Sequence, residues 1–520
     1  MKSCIRSGKT RTLTVLPDSD RPDSKRRLPA MPLGRRPFLG LLGCLALPAV
    51  ARPSYAATID YEGRGSEGTA LGYILFDPDS GRAVEARAAD TPFIPASVAK
   101  LPTASAALAL LGPDHRFATR LLGGGLSGGG LSGGGLSGGG LSGGGLSTDG
   151  VLRGDLILQG GGDPALATEG LLQLLDQARA AGLRRVEGRF LYDATLLPEL
   201  AEIDSGQPWA APYNTGAGAL SLNYNRALLS WGRGGRGGPE ALTVADAGRL
   251  PLDSVTVLPM AAGGRFPLLP DGADRWRMTP PATGEAGAAW VPVARPGLAA
   301  ATLFRRLAAE AGIALPPPLP GQAPAAAMPI ATLDSLPLAE LVRGLLRHSN
   351  NLSAEVIGLA AARRLDPAVA TLGRSAALLQ GLLARQPLDG AGWGGLRLAN
   401  HSGLGTGSRA TPRQMAALLR AGGPALWDLL PGEEDGKALP PGIRAKSGTL
   451  AYVKGLAGLL TATSGQRLGF VLFIADARRR AAMDAALDRR VTAIPPDARA
   501  WAADARALQS GLLERWVLTY

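Results

Sequence analysis

Residues 123–147 are five exact copies of Gly-Gly-Gly-Leu-Ser, and this block limits where the chain can fold. One apolar residue per five, in a background of glycine, suits neither an amphipathic helix nor a strand. No solenoid is built from so short a unit, so the block reads as a flexible loop with folded chain on either side. It also produces a false lead. Gly125-Leu126-Ser127-Gly128-Gly129 matches the G-x-S-x-G pattern of a nucleophile elbow. That turn needs a strand before it and a helix after it, and repeated glycine supplies neither.

A chain of 520 residues exceeds one compact core, so two or three domains are expected. With 46% hydrophobic residues it is not disordered. The formal net charge of +12 suggests nucleic acid until its position is considered. Residues 1–56 hold 11 Lys/Arg against 3 Asp/Glu, so most of the excess sits in the leader. No basic run interleaved with aromatics follows, and a nucleic-acid partner is set aside. Arg35-Arg36 precede an apolar run from Pro37 to Ala51, with small residues Ser54, Ala56 and Ala57 beyond it. The run is shorter than the roughly 20 residues of a spanning helix. It reads as an export signal of Sec or twin-arginine type, cleaved near Ala56. Both cysteines, Cys4 and Cys44, lie inside it, so the mature chain has neither disulfides nor a thiol nucleophile.

Past the leader, Leu71–Asp77 reads as a strand, Asp79-Ser80-Gly81 as a turn and Arg82–Ala88 as a return strand. A helix pattern starts at Pro95 and runs to Leu111, where Gly112-Pro113 stops it. Pro102 falls inside it and stands to kink its second turn. From about 150 to 325 the chain is strand-rich and proline-rich, ending in Leu315-Pro316-Pro317-Pro318. Helical periodicity returns at Leu338–Leu346 and Ala354–Arg364, strands at Ile443–Leu460 and Leu468–Ala475, and helices at Ala477–Val491 and Ala498–Trp516. The last helix suits a peripheral membrane contact, or simply the covering of its own sheet.

The chemistry is carried by lysine. After position 56 the chain has 40 Arg and four Lys: Lys100, Lys437, Lys446 and Lys454. Arg cannot surrender its proton, whereas a buried Lys can be tuned into a base. Ser97-Val98-Ala99-Lys100 places serine at a helix N-terminus, where its main-chain N–H meets a developing oxyanion, with lysine one turn on and in reach of the hydroxyl. Ser349-Asn350-Asn351 lies between two helical stretches. There the Ser349 hydroxyl can relay a proton and the Asn351 amide can bind a substrate backbone. Lys446-Ser447-Gly448-Thr449 lies on a strand. Lys446 adds positive charge, Gly448 permits close approach of a substrate strand, the Ser447 and Thr449 hydroxyls suit a carboxylate, and the Thr449 N–H completes an oxyanion hole with that of Ser97. Each motif alone has an ordinary explanation as a cap, a turn or a surface charge. Together, in this order on a helix, a loop and a strand, they form a serine acyl-enzyme set.

With these motifs the sequence resembles the class C low-molecular-mass penicillin-binding proteins, of the penicillin-binding protein 4 type. The first two motif serines, Ser97 and Ser349, are 252 positions apart, and so large an insertion marks that family. Gly154–Leu158 leading into Gly161-Gly162-Asp163-Pro164, Ala219–Asn223 with Asn225, and Ser349 through Glu355 resemble it as well. Family members often have Thr where Ser447 stands, Asp where Asn350 stands, and Asp-Gly-Ser-Gly-Leu where this chain has Asn400-His401-Ser402-Gly403-Leu404.

The resemblance implies an α/β (α+β) fold: a three-layer α/β/α serine peptidase domain with inserted β-rich domains. Its division would be an export signal and preceding extension at 1–56, peptidase domain at 57–115 and 326–520, and insertion at 116–325. It implies Ser97 as nucleophile, Lys100 as base, Ser349 and Lys446 in proton transfer, and Asn351, Ser447, Gly448 and Thr449 in binding. It implies D-Ala-D-Ala carboxypeptidase or endopeptidase action on peptidoglycan stem peptides in the periplasm, β-lactam antibiotics as inhibitors, and no cofactor or metal. The alternatives are a β-lactamase or esterase on the same scaffold, or a non-catalytic peptidoglycan-binding protein. A class A β-lactamase calls for a deacylating Glu on a loop after the second motif, and none stands out. The histidines, His115, His348 and His401, show no zinc-ligand spacing.

Overall fold

The structure, a computed structural model, describes residues 68–124, 146–232, 242–246, 250–260, 266–279, 286–388 and 392–520. The expected export signal and most of the glycine repeat lie outside these residues. The main sheet has five antiparallel strands in the order Ile443–Leu450, Val453–Thr461, Arg467–Asp476, Thr69–Phe76 and Ala83–Arg87. It therefore joins the start of the described chain to its end.

Side-chain alternation along these strands makes three layers. Ile74, Phe76, Val471 and Phe473 point to one face and share a core with the helices Lys100–Leu111, Leu338–His348, Asn351–Ala362 and Pro412–Trp427. Tyr73 and Phe470 point to the other face, against Trp516 of the C-terminal helix Pro496–Thr519, with ring centroids 5.3 and 6.0 Å away. Trp516 is fully buried, and truncating such a ring costs about 3–5 kcal/mol. The apolar residues of the last helix thus cover the sheet.

Between these parts, a second five-stranded sheet runs Pro318–Pro320, Phe190–Asp193, Leu156–Gln159, Ala118–Gly123, Met328–Asp334. It shares its core with the helices Thr168–Ala180 and Pro296–Glu310, which the strand-rich sequence reading did not resolve. Four-stranded and three-stranded sheets follow within 226–292.

Several elements differ from the sequence expectation for physical reasons. The α-helix proper begins at Lys100 after a 3-10 turn at Ala96–Ala99, so Pro102 sits in its first turn. There a missing N–H deprives no acceptor, and no kink follows. The expected strand from Ile443 to Leu460 is two strands joined at Ala451-Tyr452, with Tyr452 at φ +59°. Tyrosine is no turn signal; its hydroxyl donates to Asp497 at 2.5 Å on the last helix, which holds the hairpin in place. The helix expected to reach Val491 stops at Ala485. Beyond it the Arg489 carbonyl accepts from the Trp209 N–H at 2.9 Å, and its guanidinium lies over the Trp209 ring.

Candidate active site

Ser97 lies in the 3-10 turn that leads into the Lys100–Leu111 helix, half-exposed between buried neighbours. The turn is forced. Ala96 sits at φ +47°, a left-handed conformation costing about 1–2 kcal/mol for a residue with a Cβ. Two glycines clasp it. A Cβ on Gly403 would stand 1.9 Å from the Ala96 carbonyl oxygen, and one on Gly448 would stand 2.7 Å from that of Pro95 and 3.0 Å from the Ser97 nitrogen. Gly448 was expected to admit a substrate strand. The space it leaves is filled instead by the chain's own serine turn.

Lys100 is fully buried. Its Nζ donates to Asn351 Oδ1 at 2.8 Å, the Ser402 carbonyl at 2.7 Å and Ser97 Oγ at 3.0 Å. Two of these partners are carbonyl oxygens, which only accept; the serine hydroxyl can also donate. A neutral Lys100 therefore gives its two protons to the carbonyls and turns its lone pair on Ser97. The Asn351 amide is fixed for this by its Nδ2, which donates to the Tyr213 carbonyl at 3.1 Å. Burial pulls the Lys100 pKa down to about 7, against the opposing charge of Glu355.

Ser349 ends one helix in a left-handed conformation at φ +54°, and the adjacent Asn350 caps the next by accepting from the Ser353 N–H. The joint presents the Ser349 hydroxyl, which accepts from Lys446 Nζ at 2.9 Å. Lys446 is also buried, and its pKa lies well below the usual lysine range through burial, with the charges of Lys100 and Lys437 adding to it. Alternation along the Ile443–Leu450 strand puts Lys446 and Gly448 on the nucleophile's face. Ser447 and Thr449 turn to the other face, where both are exposed.

The structure thus brings together Ser97, Lys100, Ser349, Asn351, Lys446 and Gly448, and separates the hydroxyls of Ser447 and Thr449 from them. Sequence reasoning missed Glu355. Its buried carboxylate accepts from the N–H groups of His401 at 3.0 Å and Ser402 at 2.9 Å, and burial raises its pKa. Glu355 thereby holds the loop whose Ser402 carbonyl meets Lys100. The signal was present: it is the one acid in the apolar helix NLSAEVIGLAAA. In the same loop His401 is fully buried, with a pKa pulled down to about 3, and its Nε2 is 2.7 Å from Ser375 Oγ. A Cβ on Gly358 would overlap its ring at 2.1 Å, so the histidine occupies space that a glycine on the facing helix leaves open. Among the described residues no group of three or more His, Cys, Asp or Glu side chains could hold a metal ion.

A serine in the turn that opens a helix and a lysine at that helix's first position, packed beneath the edge strand of a five-stranded antiparallel sheet, define a serine peptidase of the penicillin-binding, β-lactamase-like fold. The profile of the D-Ala-D-Ala carboxypeptidase 3 (S13) family matches residues 61–140 and 139–429, and the chain belongs to that family. It is 27% identical over 438 residues to the D-alanyl-D-alanine carboxypeptidase of Actinomadura sp. (strain R39), covering 77% of each chain. It is 26% identical over 468 residues to a carboxypeptidase of Mycobacterium tuberculosis, covering 80% of this chain and 81% of that one. Penicillin binding protein 4 from Haemophilus influenzae shares the fold, with a TM-score of 0.68 at 22% identity over 86% of this chain and 98% of that one. By family the chain is a serine-type carboxypeptidase of the penicillin-binding protein 4 type.

Proposed function

We propose that the chain is an exported enzyme that cleaves peptidoglycan stem peptides through an acyl-enzyme on Ser97. The observation that carries this is the donor arrangement at Lys100: two carbonyl acceptors leave the neutral amine one partner to deprotonate, the Ser97 hydroxyl. Lys100 takes that proton as Ser97 Oγ bonds to the carbonyl carbon of the penultimate D-Ala. The oxyanion meets the N–H groups of Ser97 and Thr449, each donor typically worth about 2.7–4 kcal/mol. As the C–N bond breaks, the leaving amine receives a proton through the Ser349 hydroxyl, which Lys446 holds. Water then cleaves the ester and regenerates Ser97.

Loss of a terminal D-Ala is carboxypeptidase action; loss of a cross-linked stem is endopeptidase action, which the same steps allow. Asn351 and the open edge of the Ile443–Leu450 strand are the groups we assign to the substrate backbone, as an added strand. β-Lactams would acylate the same serine, and the expected signal would deliver the enzyme to the periplasm. We also assign an insertion to the chain from 116, which its separate sheets support. The expected end at 325 is set too early, because the strand Met328–Asp334 pairs with Ala118–Gly123 in the insertion's own sheet, so the insertion runs to about 334. Among the described residues no helix is long and apolar enough to cross a membrane.

The test is mass-spectrometric assay of purified 57–520 protein on a synthetic stem pentapeptide and on cross-linked stem dimers. Release of D-Ala that Ser97→Ala abolishes is expected. Turnover that survives Ser97→Ala would refute the assignment of the nucleophile.

A further inference from the structure

Away from the catalytic centre, one arginine lacks the partners that a buried charge requires. Arg226 opens the strand Arg226–Trp231 in the four-stranded sheet of the insertion. Its Nε is buried and bonded to nothing, and no carboxylate acts on the guanidinium among the described residues. Asp246 on the neighbouring strand stands opposite Ala227, so its side chain lies on the other face of the sheet. There it accepts from Thr168, Asn223 and the Leu250 N–H. What meets Arg226 is aromatic. Its guanidinium carbon lies 5.7 Å from the centre of the Tyr224 ring and 5.4 Å from that of Trp290. Trp290 stands opposite Leu228 and so shares the face of Arg226.

A guanidinium carries five donors and cannot escape burial by losing its proton, so leaving it without an acceptor is unfavourable. The Tyr224 backbone adds a second unfavourable feature. Asn223, Tyr224 and Asn225 are three consecutive left-handed residues, at φ +49°, +57° and +50°. Asparagine tolerates that conformation, and both asparagines are tied down, Asn223 to Thr168 and Asn225 to the Gly216 carbonyl. Tyrosine has no such local reason, and it stays 38% exposed. A strained, exposed aromatic ring beside an arginine without an acceptor marks a binding site rather than a core. The faces of the guanidinium are directed at rings, which leaves its N–H edge for a ligand. That edge matches a carboxylate, and the exposed aromatic surface matches the C–H face of a sugar ring.

We propose that Arg226, Tyr224 and Trp290 form a second site, apart from the catalytic serine, that binds a sugar bearing a free carboxylate. The wall glycan presents such a sugar wherever its acidic unit lacks a stem peptide; that choice of source rests on the peptidase reading above. The chain itself links the two sites. The Tyr213 carbonyl holds Asn351, and the Gly216 carbonyl holds Asn225. Between these points Ala217 and Ala219 pack with Leu352 and Val356 of the helix that Asn351 begins. Residues 213–226 thus run from the catalytic centre to the second site, and glycan held by the insertion is kept beside the serine that cleaves its stems.

The test is calorimetric titration of the purified protein, acylated with a penicillin so that the catalytic serine is blocked. Three probes separate the chemistry: N-acetylmuramic acid carries a ring and a carboxylate, N-acetylglucosamine only the ring, and lactate only the carboxylate. Wild type should prefer the first over each of the others by ~10-fold or more, as a charge-assisted hydrogen bond provides. Arg226→Met should lose the preference over N-acetylglucosamine and melt no lower than wild type, since it removes buried donors that have no acceptor. Tyr224→Gly should weaken binding of both sugars and raise the melting temperature by relieving the left-handed strain. A short stem pentapeptide, which has no sugar, should be turned over by both variants as by wild type. Equal affinity for the acidic and neutral sugars, equal affinity for lactate, or no saturable binding of N-acetylmuramic acid would overturn the inference. So would unchanged affinity in Arg226→Met. Any of these with pentapeptide turnover intact would overturn the second site alone and leave the peptidase reading standing.

Discussion

The two faces of the Ile443–Leu450 strand are treated oppositely. On the inner face Lys446 is buried with its charge disfavoured, and Gly448 lets the serine turn press against the backbone. On the outer face Ser447 and Thr449 stand in solvent, with Lys454 beneath Thr449. Alternation of side chains therefore divides the labour of one four-residue motif. Groups that must move protons are kept out of water, where burial tunes them. Groups proposed to hold the substrate stay at the surface, where it can reach them.

Replacing Lys100 with Arg tests the inner face most severely, because the charge is kept and the capacity to accept a proton is lost. Acylation by a β-lactam, followed by stopped flow, should slow by ~10³-fold or more. A rate within tenfold of wild type would remove Lys100 as the base. Gly448→Ala attacks the packing between the faces. Its Cβ would crowd the Ser97 nitrogen at 3.0 Å, and displacing the nucleophile by a fraction of an ångström should cost ~10²-fold in acylation. Unchanged acylation would show that the strand is free to move away from the turn.

The protonation of Lys100 gives a pH prediction with a definite sign. A base with a pKa of about 7 is neutral above that value, so acylation should rise with pH through about 7 and level off. Glu355 raises that pKa, so Glu355→Gln should move the rising limb to lower pH. It also turns one acceptor oxygen into a donor facing a backbone N–H, for a stability loss of about 1–3 kcal/mol in urea titration. A limb that stays in place would separate Glu355 from the proton chemistry. The smallest effect belongs to the outer face: Ser447→Ala should lower kcat/KM on D-Ala-D-Ala peptides by ~3–10-fold and leave the pH limb where it is.

Much of this site could be read from the sequence because its parts are local. Ser97 and Lys100 are one helical turn apart, and Ser349 stands where one helical pattern ends and another begins. The rarity of lysine pointed further than the motifs did. Lys437 contributes charge at Lys446 and Lys454 supports Thr449, so all four lysines serve one region. What escaped depends on tertiary contact. Nothing in the sequence says that the 400–403 loop crosses the helix bearing Glu355, or that Gly448 faces the chain's own turn. Nor does it show that Tyr452 turns a hairpin because Asp497 anchors its hydroxyl.

The most direct test of the central claim is the site of acylation. The purified protein would be incubated with a penicillin, digested, and the adduct located by mass spectrometry beside Ser97→Ala. One penicilloyl group on Ser97, absent from a folded Ser97→Ala variant, is the predicted result. An adduct on another residue, or none on folded wild type, would contradict the account.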